Sequence, residues 1–169
     1  QVAPRFWEDT RIRVLHTPGH TDESVSLVVT DLRRGPEPWF VLTGDTLFTK
    51  GVGRPDLHAD AEGARRRARV LFGSLTRLRA LGQEVVVLPA HASEPIAFDG
   101  RAVSARIGDL ATWLSTWLVS ETAFVERITS RLPATPPNFA SIVELNEAGE
   151  LPDGDPTDLE SGANRCAVS

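Results

Sequence analysis

The chain has no methionine, no tyrosine, one cysteine, one lysine and four histidines in 169 residues. Each shortage excludes something. A lone cysteine, Cys166, cannot close an internal disulfide or build a cysteine-rich zinc site, and near the C-terminus it reads as an incidental thiol. No run approaches the roughly 18 uninterrupted apolar residues of a membrane span. The opening QVAPRFWEDT lacks the basic-then-apolar order of a signal peptide. No membrane partner and a cytoplasmic location are therefore expected. Basic residues number 18 against 23 acidic ones, for a net charge of −5, a poor footprint for a phosphate backbone, so nucleic acid is not an expected partner. With 41% hydrophobic and 24% charged residues, the composition is that of a globular protein and excludes disorder and coiled coil. A sequence starting at Gln1 without any methionine leads to the expectation that residues upstream are absent.

What is present falls into blocks. Arg11-Ile12-Arg13-Val14-Leu15 alternates as a strand and runs into the turn His16-Thr17-Pro18-Gly19-His20. Residues 24–29 and 39–42 repeat the strand signal on either side of a Gly-Pro-Glu-Pro turn and predict a hairpin. The second strand ends at Gly44-Asp45, and a glycine-bearing loop follows over 49–56. Ala64, Ala68, Leu71, Leu75 and Leu78 fall on one helical face, with five arginines between Ala64 and Leu78 that read as a solvated surface. Residues 84–88 form a continuous apolar strand ending in Pro89-Ala90-His91. Beyond Gly100, Val103, Ile107, Leu110, Leu114 and Trp117 mark one helix, Phe124, Ile128 and Leu132 a second, and Phe139 to Ala148 a third. A tail from Glu150, rich in Asp, Gly and Pro, is expected to be irregular. The division is an α/β portion over 1–100, a helical extension over 101–149 and the tail over 150–169.

His20, Asp45 and His91 each follow a predicted strand, where α/β sheets assemble their sites. Imidazole and carboxylate suit Zn²⁺ or non-haem Fe²⁺, and two histidines with one carboxylate match both a catalytic zinc and a facial iron triad. Taken singly, each has a plainer role, as a turn cap or a hydrogen-bonded histidine.

The strings HTPGHT at 16–21, LTGDTLF at 42–48 and LPAH at 88–91, in that order, resemble the second half of the metallo-β-lactamase superfamily. The continuation GVGRPDL at 51–57 resembles the branch of glyoxalase II thioesterases and persulfide dioxygenases. The resemblance implies the C-terminal half of a metallo-β-lactamase-like αββα sandwich, an α/β fold, followed by a helical extension. It also implies metal ligation by His20 and Asp45. His91 would ligate the second ion of a binuclear site and stand beside a mononuclear one. His16 is expected to order its loop and His58 to be exposed. Arg54 is open to two roles, binding a substrate carboxylate or pairing with Asp56. The upstream H-x-H-x-D-H string of the family is missing, so this chain holds two of the three ligands of a dioxygenase triad.

Two chemistries share this shell. One is a dioxygenase using a single Fe²⁺ to oxidise a low-molecular-weight thiol persulfide to sulfite; the other is a thioesterase using a binuclear zinc or iron pair. The family's thioesterases place a lysine and a tyrosine in the loop after the aspartate, and this chain has no tyrosine, which favours the dioxygenase. A third expectation belongs to another class: a catalytically silent fragment or interaction module, associating with itself or with a complementing N-terminal segment.

Overall fold

A computed structural model of the chain describes residues 8–57, 59–92, 99–135, 138–155, 159 and 167–168. Two expected features, exposed His58 and incidental Cys166, lie outside the described residues. The alternating runs become β1 (Thr10–His16), β2 (Val25–Asp31) and β3 (Phe40–Gly44). After β3 come two short strands, β4 (Leu47–Phe48) and β5 (Gly51–Gly53), then helix α1 (Ala61–Arg79), β6 (Val86–Pro89) and β7 (Ala105–Arg106). Helices α2 (Ile107–Trp117), α3 (Glu121–Thr129) and α4 (Phe139–Ala148) follow, and strand β8 (Ala167–Val168) comes last.

A five-stranded sheet has the order β1-β2-β3-β6-β7, and a three-stranded one the order β4-β5-β8. β2 is antiparallel to both β1 and β3, while β6 is parallel to β3. Strands β1, β3 and β6 therefore run the same way and end at the same sheet edge. A parallel neighbour needs a long crossover, and α1 supplies it between β3 and β6. The helix starts at Asp60, whose carboxylate accepts from the Gly63 amide at 2.7 Å.

Registry decides what each face of the sheet meets. Val28, Val41 and Val87 lie side by side across three strands and are buried. They share one apolar cluster with Leu71, Leu75 and Leu78 of α1, Ile107 and Leu114 of α2, and Phe124 and Ile128 of α3. Two of the three helices expected as an extension, α2 and α3, thus pack into the same core as the sheet. The neighbouring row, Val14, Leu27 and Leu42, points the other way. On that face Ile12 is 58% exposed, Val14 62%, Val25 45% and Leu42 40%. Val29 is buried on that face, which otherwise stays largely open among the described residues, as an unpartnered sandwich layer would be.

Two local departures have physical reasons. The stretch read as a loop over 49–56 contains β5, whose Gly-Val-Gly carries no alternation to read. Within the tail expected to be irregular, β8 pairs with β5, Val52 opposite Val168, and Val168 is buried.

Leu75 is fully buried whereas Val14 is not. Leu75→Ala is expected to cost about 2–5 kcal/mol and Val14→Thr no more than about 0.5 kcal/mol, as read by chemical denaturation. The pH dependence has a defined sign at Asp31, which the Arg33 side chain hydrogen-bonds at 2.9 and 3.1 Å and holds below the usual carboxylate range. A depressed native pKa means that the unfolded chain binds more protons in acid. The contribution is present above the ordinary aspartate value of about 3.9 and is lost as pH falls through the lowered one. Asp31→Asn should flatten the acid limb of a stability-against-pH curve.

Candidate metal centre

Since β1, β3 and β6 end together, their following loops converge, and these loops carry His20, Asp45 and His91. The first loop is held tightly. His16 Nε2 donates to the Asp22 carbonyl at 2.8 Å and closes the loop from outside, the role expected of it. From inside, Thr17, fully buried, shares a 2.8 Å hydrogen bond with Ser26, and Thr46 donates to the Thr17 carbonyl at 3.0 Å. Ser74 of α1 donates to the Pro18 carbonyl at 2.8 Å. Gly19 has φ +135°, and a Cβ there would overlap the Leu71 backbone, so the loop lies flat against α1 only because residue 19 has no side chain.

His20 is buried, and its Nδ1 lies 2.8 Å from the Arg54 carbonyl oxygen. A carbonyl only accepts, so Nδ1 carries a proton. In the neutral ring Nε2 then keeps its lone pair. Nε2 faces Asp45 Oδ2 at 3.9 Å, beyond hydrogen-bond reach. Asp45 Oδ1 is engaged differently, accepting from His91 Nδ1 at 2.5 Å. Thus the carboxylate lies between two imidazoles, one bonded to it and one standing off. The Ala90 amide donates to the Gly44 carbonyl at 3.0 Å and ties the end of β6 to the residue before Asp45.

The three residues expected to ligate metal are together, but their donors do not enclose one point. Among the described residues no group of three or more His, Cys, Asp or Glu is arranged to hold a metal ion. His91 Nδ1 is bonded to Asp45 rather than left open. The pair His20 Nε2 and Asp45 Oδ2 does fit an ion. Zinc bonds to nitrogen and oxygen of roughly 2.0–2.2 Å sum to slightly more than this gap, so one cation can touch both. The Nδ1 bond to a backbone carbonyl is the usual support for a ligating histidine.

Of the two roles open to Arg54, the geometry has it paired with Asp56. Its side chain is 1% exposed, and Nε and Nη2 bind the two Asp56 oxygens at 2.8 and 2.7 Å. Nη2 and Nη1 also donate to the Pro133 and Ala134 carbonyls at 2.7 and 3.1 Å. A substrate carboxylate, the other role, has no exposed guanidinium to meet. Sequence reading missed Thr17, Thr46, Ser74 and the Arg54 carbonyl. The three hydroxyls are common residue types whose partners lie far away in sequence, and a carbonyl leaves no mark in a sequence at all.

The fold has a match among solved structures. A metallo-β-lactamase from Staphylococcus aureus subsp. aureus COL superposes with a TM-score of 0.68 and 27% identity, over 82% of this chain and 40% of that one. The fold is metallo-β-lactamase-like. An uncharacterised protein of Mycobacterium leprae (strain TN) is 40% identical over 81 residues, which is 47% of this chain and 32% of the relative. Another from Mycobacterium tuberculosis (strain ATCC 25618 / H37Rv) is 39% identical over 80 residues, 47% of this chain and 33% of the relative. The matched segment spans about a third of these curated relatives. No family model matches the chain.

Close approach at β5 makes the centre sensitive to one methyl group. A Cβ on Gly53 would overlap the Asp45 carbonyl oxygen and come within 2.9 Å of His20 Cβ. Gly53→Ala is expected to destabilise by about 1–3 kcal/mol. Gly73→Ala, with nothing within 4 Å of the new methyl in α1, should stabilise by up to about 1 kcal/mol in the same denaturation assay.

Proposed function

We propose that this chain carries part of the metal centre of a metallo-β-lactamase-fold enzyme acting on a small thiol-derived substrate, a persulfide dioxygenase using one non-haem Fe²⁺. The observation that carries the reading is the pair of acceptors, His20 Nε2 and Asp45 Oδ2, facing each other at 3.9 Å with no proton between them in the neutral ring. Two lone pairs held face to face repel, and a bound cation would relieve them. His20 and Asp45 would hold the ion. The hydrogen bond from His91 to Asp45 supports the mononuclear form, because His91 then orients the carboxylate.

Bound ferrous iron would supply open positions for dioxygen and a persulfide sulfur. The overall reaction balances as RSSH + O₂ + H₂O giving RSH, sulfite and two protons. The chain's own residues keep the centre partly dry, His20 being buried and the Asp45 side chain 21% exposed. They also fix the direction of the nitrogen and oxygen donors. A thioester hydrolase is the second reading. It is favoured by one feature, that each Asp45 oxygen faces a different imidazole, as a carboxylate bridging two zinc or iron ions would.

Two ligands are too few for a catalytic ion, and one apolar face of β1, β2 and β3 is largely exposed. Together they support completion of both sandwich and shell by a complementing polypeptide segment. In this reading the chain by itself would act as a silent half, and self-association through the bare face is the alternative outcome.

Metal analysis of the purified chain, with and without the complementing segment, tests the proposal. The expectation is one iron per complete centre and turnover of glutathione persulfide rather than S-lactoylglutathione. His20→Ala or Asp45→Ala should lower affinity by more than the roughly 10- to 100-fold that loss of an outer-shell partner costs. His91→Ala should fall within that range for a mononuclear centre and remove half of the bound metal from a binuclear one. Unchanged metal content in His20→Ala would overturn the assignment.

A further inference from the structure

We propose that Arg54 is a positioning residue for His20, its buried guanidinium anchoring the backbone carbonyl that fixes the ring's tautomer and aims Nε2 at Asp45. The inference rests on the metal reading above, and it concerns how the centre is held ready rather than what binds there.

Arg54 acts at both of its ends. The carbonyl accepts from His20 Nδ1 at 2.8 Å. The guanidinium, 1% exposed, uses four of its donors on Asp56 and on the Pro133 and Ala134 carbonyls. A forked bond to a carboxylate fixes orientation as well as distance, which a single ammonium would not do. The backbone on either side is restricted too. Gly53 packs against Asp45 and His20 with no room for a side chain, and Pro55 confines Arg54 to extended conformations. With both ends pinned, the carbonyl has one direction, and the proton it accepts stays on Nδ1.

The anchor also crosses the molecule. Pro133 and Ala134 follow α3, about 80 residues beyond Arg54, so a turn in the helical part fixes a donor atom at the sheet edge. A buried arginine is costly unless fully paired, and here Asp56 and two carbonyls pair it. The GRPD string therefore encodes support for the histidine: Gly53 for closeness, Arg54 for the carbonyl, Pro55 for the backbone angle and Asp56 for the anchor.

Histidine-selective ¹⁵N NMR on the full chain without metal, followed by zinc titration, tests this in Arg54→Lys and Asp56→Asn. Wild-type His20 is expected wholly as the Nδ1–H tautomer. Both variants should show a mixture of tautomers and a zinc affinity lower by about 10- to 100-fold. Leu110→Ala, in α2 and away from these contacts, controls for lost stability and should leave the tautomer unchanged. A folded Arg54→Lys or Asp56→Asn that keeps a single Nδ1–H tautomer and wild-type zinc affinity overturns the proposal, as does a wild-type His20 protonated on Nε2. If Arg54→Lys does not fold, Asp56→Asn decides, since it keeps the shape of the anchor and removes only its charge. Should the wild-type chain bind zinc neither alone nor with the complementing segment, the metal reading fails, and the tautomer comparison still decides the role of Arg54.

Discussion

The centre depends on the single hydrogen bond from His20 Nδ1 to the Arg54 carbonyl. It commits the ring's proton to the protein side, leaving an unprotonated nitrogen opposite a carboxylate oxygen 3.9 Å away. Without that bond the imidazole would be free to turn a proton toward Asp45 and form an ordinary hydrogen bond. With it, in the neutral ring, two acceptors face each other across a gap that one metal ion would bridge. The surrounding detail serves this arrangement: a loop tied down by Thr17, Thr46 and Ser74, two glycines where side chains would collide, and a buried arginine fixing the carbonyl.

Why the donors meet at all follows from strand direction. β1, β3 and β6 run the same way because β2 is antiparallel to two of them and α1 carries the chain back for the third. Helices cover one face of that sheet and bury Val28, Val41 and Val87, while Val14 and Leu42 on the other face stay exposed. In the proposed reading, the exposed apolar face and a metal shell two ligands strong would both be completed by one further layer of polypeptide.

Much of this was legible in the sequence because it rests on periodic or chemically distinctive residues. Alternation gave β1, β2 and β3, the Ala64-to-Leu78 spacing gave α1, and Phe139–Ala148 appeared as α4 with the expected bounds. His20, Asp45 and His91 were visible as strand-end residues of ligating type, and they do come together. Short strands β4, β5, β7 and β8 were not legible, since two or three residues show no period and their pairing is decided by distant partners. The role of Arg54 stayed open between two acceptable carboxylates, and only burial beside Asp56 separates them. The bond from His91 to Asp45 was equally hidden, because a ligand type does not say which atom it will be spent on.

The most direct test is an anomalous-difference map from a crystal of the chain loaded with zinc. The predicted peak lies between His20 Nε2 and Asp45 Oδ2, about 2.0–2.2 Å from each atom, with His20 Nδ1 still bonded to the Arg54 carbonyl. A zinc peak elsewhere, or a clear map showing His20 Nε2 and Asp45 Oδ2 joined by a direct hydrogen bond, would contradict it.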